Sequence, residues 1–228
     1  MQMEIIDVNV QWGFYPFEMI DATPQKVSTL LKEAGISKGL ALSFKSSFLS
    51  YKEGNRETLH ISHQIPHFLP VFTVDPRDYP DCMKEIEEAK GRGFTALRLF
   101  RRFGKEGMVL REILRFSARL SLPILTDFVP PYDGIDSLPP IVLLEVPLEE
   151  MGEAFLFLER ENVYIEFSPL LLAMGKLRDG LKGKIVFGSR LPFLPPTVHL
   201  SLIEKAFPSP EERELILSLN AKKIFSFS

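Results

Sequence analysis

The chain has 228 residues, of which 45 % are hydrophobic and 25 % are charged, and its formal net charge is −3. This length suits one domain, 1–228, with a sizeable core, and the charge gives no reason to expect nucleic acid or a membrane surface as partner, since both favour a basic patch. The single cysteine, Cys82, excludes an intrachain disulfide.

No stretch reaches the ~18 apolar residues that a membrane span needs. The first ten residues lack the basic and long apolar segments of a signal peptide, and one cysteine fits a reducing compartment, so we expect a cytoplasmic protein. The scarcity of Asn and Gln beside abundant Lys, Arg and Glu resembles the bias of thermophilic proteins.

Short apolar runs alternate with amphipathic stretches along the whole chain. The continuous apolar character of the runs is typical of parallel strands that are covered by helices. Eight strands separated by helices predict a closed, somewhat shortened (β/α)₈ barrel rather than an open sheet. The predicted strands are 4–10, 39–44, 68–74, 96–100, 123–128, 141–146, 163–167 and 184–187.

Capping patterns place several of the helices. Thr23 followed by Pro24 predicts an N-cap with proline in the first turn, and Gly35 suits the end of that helix. Ser209 and Glu212 have capping-box spacing near the C-terminus. The proline-rich spacer 129–139 is short, so we expect little or no helix there.

Three segments carry a resemblance to a known family. The opening run 5–11, Ile-Ile-Asp-Val-Asn-Val-Gln, resembles the first strand of the amidohydrolase superfamily, in its branch of metal-dependent hydrolases and decarboxylases. Segment 162–168 resembles that family's seventh strand. Segment 184–193, with Phe-Gly-Ser-Arg-Leu-Pro-Phe, is similar to the eighth strand and its Gly-Ser-Asp-x-Pro-Phe signature. The resemblance implies the same barrel fold.

The positions that bind metal in that family hold other residues here. The His-x-His pair of the first strand is replaced by Asn9 and Gln11, and the metal-binding aspartate of the eighth strand by Arg190. The histidines that end the fifth and sixth strands align with Asp127 and Glu145. Amide oxygens are poor zinc ligands and a guanidinium repels a cation, so we expect no metal and no other cofactor.

Arg190 offers a positive charge in place of the metal. We expect it to bond Asp127 and Glu145 as acceptors, with Asn9 and Gln11 completing the polar network. Asp127, Glu145 and Arg190 are the candidate catalytic residues. Candidate ligand contacts are Asn9, Gln11, Arg98 near the end of the fourth strand, and Trp12, which with Phe14, Tyr15 and Phe17 follows the first strand.

These residues admit more than one function. The leading hypothesis is an amidohydrolase-like barrel without the catalytic metal that binds a small, anionic molecule. The alternatives are a metal-dependent hydrolase or decarboxylase with an unusual ligand set, and a non-catalytic structural or partner-binding protein in which the cluster only satisfies buried charges. The histidines 60, 63, 67 and 199 are better explained as surface or helix-end residues, and Lys45 as a solvated loop lysine.

Overall fold

A computed structural model describes residues 3–104, 107–130, 137–167 and 180–226 of the chain. Eight parallel strands form one sheet in sequence order, each paired with the next. The predicted (β/α)₈ barrel is confirmed, and each strand overlaps its predicted segment. The strands are β1 (Ile6–Trp12), β2 (Lys38–Ser43), β3 (Phe68–Thr73), β4 (Ala96–Leu99), β5 (Ile124–Thr126), β6 (Ile141–Leu143), β7 (Val163–Glu166) and β8 (Ile185–Val186).

A side chain helps to close the barrel between β8 and β1. The amide of Val8 donates to the carbonyl of Phe187 at 2.9 Å. Next to this bond, the Asp7 carboxylate accepts from the amides of Asn9 and Ser189, each at 3.0 Å. Burial raises the pKa of Asp7 to about 6, although those donors act in the opposite direction. The first and last strands are therefore joined partly through a buried carboxyl group.

The pairing of β1 with β2 shifts register between Asp7 and Val10. Before the shift, Ile6 and Val8 pack in the apolar cluster inside the barrel. After it, Val10 and Trp12 belong to the larger cluster between strands and helices. The irregularity, typical of a β-bulge, leaves Asn9 and Gln11 on the inner side at the carboxyl end of β1.

Helices cover the outside of the barrel. Thr23 caps the first helix by accepting from the amide of Lys26, and Ser209 caps another by accepting from Glu212, as predicted. The predicted spacer 129–139 lies mostly outside the described residues. The helices are α1 (Pro24–Glu33), α2 (Phe44–Phe48), α3 (Tyr51–Gln64), α4 (Asp81–Gly91), α5 (Met108–Leu120), α6 (Met151–Phe157), α7 (Pro196–Ala206), α8 (Pro210–Glu214) and, after a π-helical turn at Leu215–Leu219, α9 (Asn220–Phe225).

The inner apolar cluster fills the barrel below the carboxyl ends of its strands. Val71, Leu125 and Val142 belong to it, and α9 adds Ile224 and Phe225. Polar residues replace this apolar filling where β1, β4 and β7 end. No helix in the described part of the chain is long and apolar enough to cross a membrane.

Candidate functional site

A cavity of about 360 Å³ opens at the carboxyl ends of the strands, where (β/α)₈ barrels carry their active sites. Its walls combine charged and aromatic side chains. Five predicted site residues line it: Gln11, Arg98, Asp127, Glu145 and Arg190. The remaining lining residues are Tyr15, Phe44, Phe48, Phe100, Arg102 and Phe193.

Asn9 joins two carboxyl groups just beneath this cavity. Its side-chain amide nitrogen donates to Glu145 Oε1 at 3.0 Å and to Glu166 Oε1 at 2.9 Å. The backbone amide of Glu145 donates to the second oxygen of Glu166 at 3.0 Å. Asn9 therefore acts as a hydrogen-bond donor to acidic groups.

Glu166, at the end of β7, is a buried site residue that the sequence analysis missed. Its carboxyl group fits because residue 188 on the neighbouring chain segment is glycine. A Cβ at Gly188 would lie 2.1 Å from Glu166 Oε1, far inside van der Waals contact. The sequence did contain a signal for Glu166. Tyr164 and Glu166 are two residues apart and so lie on the same face of the predicted strand, and Gly188 belongs to the eighth-strand motif.

The environment of Glu166 favours the protonated carboxyl group. Burial and the negative charge of Glu145 raise its pKa to about 8, although the bonds from Asn9 and from the amide of Glu145 lower it. The folded chain therefore takes up a proton on Glu166 between its ordinary pKa of 4.5 and about 8. Folding stability from this group is complete below the lower value and is lost as the pH rises toward the upper one.

Glu166→Gln is expected to flatten the fall of stability with pH, because the amide cannot ionise. The measurement is urea unfolding of the parent and the variant between about pH 7 and about pH 8, above the raised pKa of Asp7. Asp7→Asn is the control and should keep this slope. The readout is the slope rather than the absolute stability, and parallel curves for parent and Glu166→Gln would contradict the assignment.

Arg190 pairs with one of its two predicted acceptors. Its Nη2 lies 3.1 Å from Glu145 Oε2. Asp127 instead accepts from the backbone amide of Arg101 at 2.7 Å. The guanidinium of Arg101 in turn bonds the carbonyl of Asp127 and both oxygens of Glu150. The expected network is therefore corrected: Arg190 bonds Glu145, whereas the Asp127 carboxylate accepts from the backbone just after β4.

Both members of the Arg190–Glu145 pair have left-handed backbone conformations. The φ angle is 60° at Arg190 and 52° at Glu145. Such values are uncommon for residues other than glycine, asparagine and aspartate, and they cluster at functional sites. The ion pair at the rim of the cavity is therefore made by two residues in an uncommon backbone conformation.

Arg98 has no carboxylate partner among the described residues. The residue is 2 % exposed, and its Nη1 is buried without a hydrogen-bond partner. Its guanidinium stacks over the ring of Phe100 at 4.5 Å. A buried, unsatisfied cationic nitrogen is costly, so a group that accepts its hydrogen bonds would be stabilised there.

A second arginine, which the sequence analysis did not select, lies beside Arg98. The guanidinium carbon of Arg102 lies 5.1 Å from the centroid of the same Phe100 ring and 4.0 Å from the centroid of the Phe48 ring. Burial lowers the pKa of Arg102, and the charge of Arg98 lowers it further, against the opposing effect of Asp127. Its one hydrogen bond to a described residue is a 3.4 Å contact with the carbonyl of Ser47. Arg98 and Arg102 thus bring two positive charges to one side of the cavity.

Aromatic rings form another part of the lining. Tyr15 lies 5.1 Å from Phe44 and 4.9 Å from Phe193, measured between ring centroids, and 5.5 Å from Phe48. Of the other aromatic candidates, Phe14 is 73 % exposed and Phe17 is 71 % exposed.

Gln11 and Trp12 point to opposite sides of β1. Gln11 lines the cavity, and no hydrogen bond of its side chain to a described residue is present. Trp12 is buried in the outer cluster between strands and helices. This placement gives no support to Trp12 as a ligand contact. Because β1 continues to Trp12, strand alternation itself separates these two neighbours.

The histidines and Lys45 lie away from the cavity lining. His60 and His63 are on α3, and His67 precedes β3. His199 is fully buried on α7, where its Nδ1 lies 2.9 Å from the carbonyl oxygen of Gly188. Lys45 pairs with Glu57 at 3.5 Å.

A larger groove of about 570 Å³ lies beside the start of α3 and offers different chemistry. It is shallow, and its charged side chains neutralise each other. Lys52 pairs with Asp78 at 2.7 Å, and Arg77 pairs with Asp75 at 2.6 Å. The mouth cavity, with an unpaired buried cation, is the stronger candidate site.

The fold and the cavity define this chain as a (β/α)₈ barrel with a polar and aromatic site at its mouth. No family model and no curated protein matches the sequence. Solved structures do match the fold. A probable 2-pyrone-4,6-dicarboxylic acid hydrolase from Acinetobacter baumannii, with citric acid bound, gives a TM-score of 0.74 at 17 % identity, covering 99 % of this chain and 100 % of that one.

Two further structures have the same architecture. A 2,6-dihydroxybenzoate decarboxylase in complex with 2,6-dihydroxybenzoate gives a TM-score of 0.72 at 13 % identity, over 99 % of this chain and 100 % of the other. An amidohydrolase from Burkholderia multivorans with bound zinc gives a TM-score of 0.72 at 14 % identity, covering 99 % of this chain and 100 % of that one. The predicted resemblance to amidohydrolases is confirmed in the fold.

The expectation of a cofactor-free protein is contradicted by these comparisons. A barrel of the same fold holds zinc, so replacement of individual ligand positions in the sequence does not justify that expectation. The degeneracy of the site stays a prediction from the residues at 9, 11 and 190.

The side chains at the mouth of the barrel determine whether a metal ion could bind there. Within the described ranges, no group of three or more His, Cys, Asp or Glu side chains could hold a metal ion. At the mouth, the two bridged carboxyl groups belong to Glu145 and Glu166, and the Arg190 guanidinium lies against Glu145. This arrangement does not fit a zinc ion.

Proposed function

We propose that this barrel binds a small anionic molecule, with a carboxylate as the group recognised, in the cavity at its mouth. The observation that carries the proposal is the Arg98 guanidinium, which is buried at the cavity with an unpartnered Nη1. A carboxylate matches the planar donor geometry of a guanidinium. Arg102 adds a second donor on the same side.

The size and lining of the cavity support a small molecule. Its volume of about 360 Å³ lies within the range of ligand pockets, which combine apolar walls with a few placed polar groups. Two of the fold neighbours were solved with carboxylic acids, citric acid in one and 2,6-dihydroxybenzoate in the other. These ligands suggest the probes for this chain.

A second candidate is a hydrolase or decarboxylase that uses the same cavity, favoured by the named activities of the fold neighbours. Asp127, Glu145 and Arg190 would be its catalytic residues, because all three line the cavity. Arg190 would orient an anionic substrate. Asp127 and Glu145 are the groups placed to accept or donate a proton there.

Arg98→Met is expected to weaken binding of 2,6-dihydroxybenzoate by about tenfold or more, because a hydrogen bond to a charged group contributes roughly 1.5–3 kcal/mol. Isothermal titration calorimetry measures this, once after chelator treatment and once with zinc supplied. Arg92→Met is the matched control, since that arginine pairs with Glu85 and Glu88 outside the cavity.

Equal binding by the parent and Arg98→Met, in both buffers, would contradict the proposed site. Release of carbon dioxide from the same compound during the titration would favour the second candidate. Retained melting temperature in both arginine variants shows that a change in affinity is not a loss of folding.

A further inference from the structure

The lining of the mouth cavity carries an excess of one positive charge. Three arginines line it, Arg98, Arg102 and Arg190, against two carboxylates, Asp127 and Glu145. The excess positive charge is not spread evenly over the cavity, because the three arginines differ in whether they form an ion pair.

Arg190 is already neutralised within the chain. Its Nη2 bonds Glu145 at 3.1 Å, and Glu145 is itself fixed by Asn9 at 3.0 Å. Its Nε is buried and has no hydrogen-bond partner among the described residues, so the contact with Glu145 leaves one donor unused there. A ligand that recruits Arg190 must first separate it from this acidic network.

Arg98 and Arg102 have no ion pair with any described residue. Both guanidinium groups lie against the ring of Phe100, with their carbon atoms 4.5 Å and 5.1 Å from its centroid. Asp127 lines the same cavity and its negative charge acts on Arg102, but it forms no ion pair with either arginine, and its carboxylate accepts the backbone amide of Arg101. Stacking on aromatic faces holds the two cations in place without neutralising them, so their charge remains for an incoming anion.

We infer that the cavity selects ligands with one anionic group, which lies on Arg98 and Arg102 while Arg190 stays paired with Glu145. This inference rests on the proposed function and adds the charge of the ligand and the orientation in which it binds. The uncharged part of the ligand then lies against Tyr15, Phe44 and Phe193. A second anionic group would meet an arginine that is already occupied, beside the carboxylate that occupies it.

The experiment compares three probes on the whole protein: acetate, benzoate and isophthalate. They carry one charge without a ring, one charge with a ring, and two charges on the same ring. Benzoate should bind about tenfold more tightly than either of the others, and Arg102→Met should weaken it. The ring supplies the apolar burial that acetate lacks, and isophthalate adds an uncompensated charge.

Glu145→Gln should reverse the preference, because it releases Arg190 and leaves two positive charges in excess. Isophthalate affinity relative to benzoate is expected to rise by about tenfold, equivalent to roughly 1.4 kcal/mol. Glu88→Gln, at an exposed helix carboxylate that pairs with Arg92, is the control and should leave the ratio unchanged.

Tighter binding of isophthalate than benzoate by the parent, with no change of ratio in Glu145→Gln, would overturn the inference and leave the anion site standing. Failure of all three probes to bind would instead remove the proposed function itself. The affinity ratio is measured only on a folded Glu145→Gln protein, which its melting temperature checks. If that variant is unfolded, Glu145→Asp replaces it. The shorter side chain of aspartate lies farther from Arg190, so the ratio of isophthalate to benzoate affinity should shift in the same direction.

Discussion

Gly54→Ala is expected to destabilise the protein by about 3 kcal/mol or more, a severe case of overpacking. Gly54 lies in α3, where it faces α2. A Cβ at this position would lie 2.2 Å from the backbone nitrogen of Ser46 and 2.3 Å from its Cα. Backbone atoms cannot rotate away as a side chain can, so α2 and α3 must separate.

Gly91→Ala is the matched control for this variant. Gly91 is in the last turn of α4, and a Cβ there would meet no atom within 4 Å. Alanine should therefore be neutral or stabilise by about 0.5–1 kcal/mol through its higher helix propensity. Denaturant unfolding of both variants measures the difference, and equal stabilities would show that the helices adjust freely.

The same substitution has a consequence for the site. α2 carries Phe44 and Phe48, which line the mouth cavity. Movement of α2 away from α3 displaces these rings, and Phe48 is the ring on which Arg102 stacks at 4.0 Å. Any Gly54→Ala protein that remains folded should therefore bind benzoate more weakly than the Gly91→Ala control.

Asn9→Asp is the second variant with a large expected effect, a loss of about 3 kcal/mol or more at neutral pH. The change keeps the shape of the side chain but replaces its NH₂ group by an oxygen. Two donated bonds are lost, one at 3.0 Å to the Glu145 carboxylate and one at 2.9 Å to Glu166, whose raised pKa keeps it protonated at neutral pH. A hydrogen bond to a charged group contributes roughly 1.5–3 kcal/mol, and the added carboxylate lies against that of Glu145 in a buried site.

Gln11→Glu is the control for Asn9→Asp, since it also converts an amide to a carboxylate on the inner side of β1. Gln11 makes no side-chain hydrogen bond to a described residue and lines a cavity that contains arginines. Its variant should lose less than about 1 kcal/mol, because favourable charge offsets burial of the carboxylate. Lower pH should reduce the Asn9→Asp deficit, as protonation restores donors between the acids. A pH-independent deficit, or equal losses in both variants, would contradict the role of Asn9.

The site combines one half whose charges are paired with another half whose two arginines form no ion pair with a described residue. On one side Asn9, Glu145, Glu166 and Arg190 satisfy each other through hydrogen bonds and one ion pair. On the other side, Arg98 and Arg102 both contact the aromatic ring of Phe100. A preorganised positive site of this kind can bind an anion without first breaking an internal bond, which is why the charge of the ligand is the property to test.

The sequence alone was sufficient for the architecture. Eight apolar runs of strand length, separated by helices with N-caps at Thr23 and Ser209, require parallel strands covered by helices. Period and capping are local properties, so the chain reveals them without coordinates. Because parallel strands of a barrel end at one rim, the placement of Gln11, Asp127, Glu145 and Arg190 around one cavity followed from their positions after strands.

Tertiary structure decided which of these groups meet. Arg190 reaches Glu145, whereas Asp127 accepts the amide of Arg101, which follows the neighbouring strand β4. Glu166 enters the network because Gly188 leaves room for it, a contact between segments that sequence spacing does not encode. The register shift in β1 places Asn9 and Gln11 inward and Trp12 outward. Local patterns determine the strands, whereas pairing, bulges and steric gaps between distant segments determine which charges are neutralised and which, like that of Arg98, remain for a ligand.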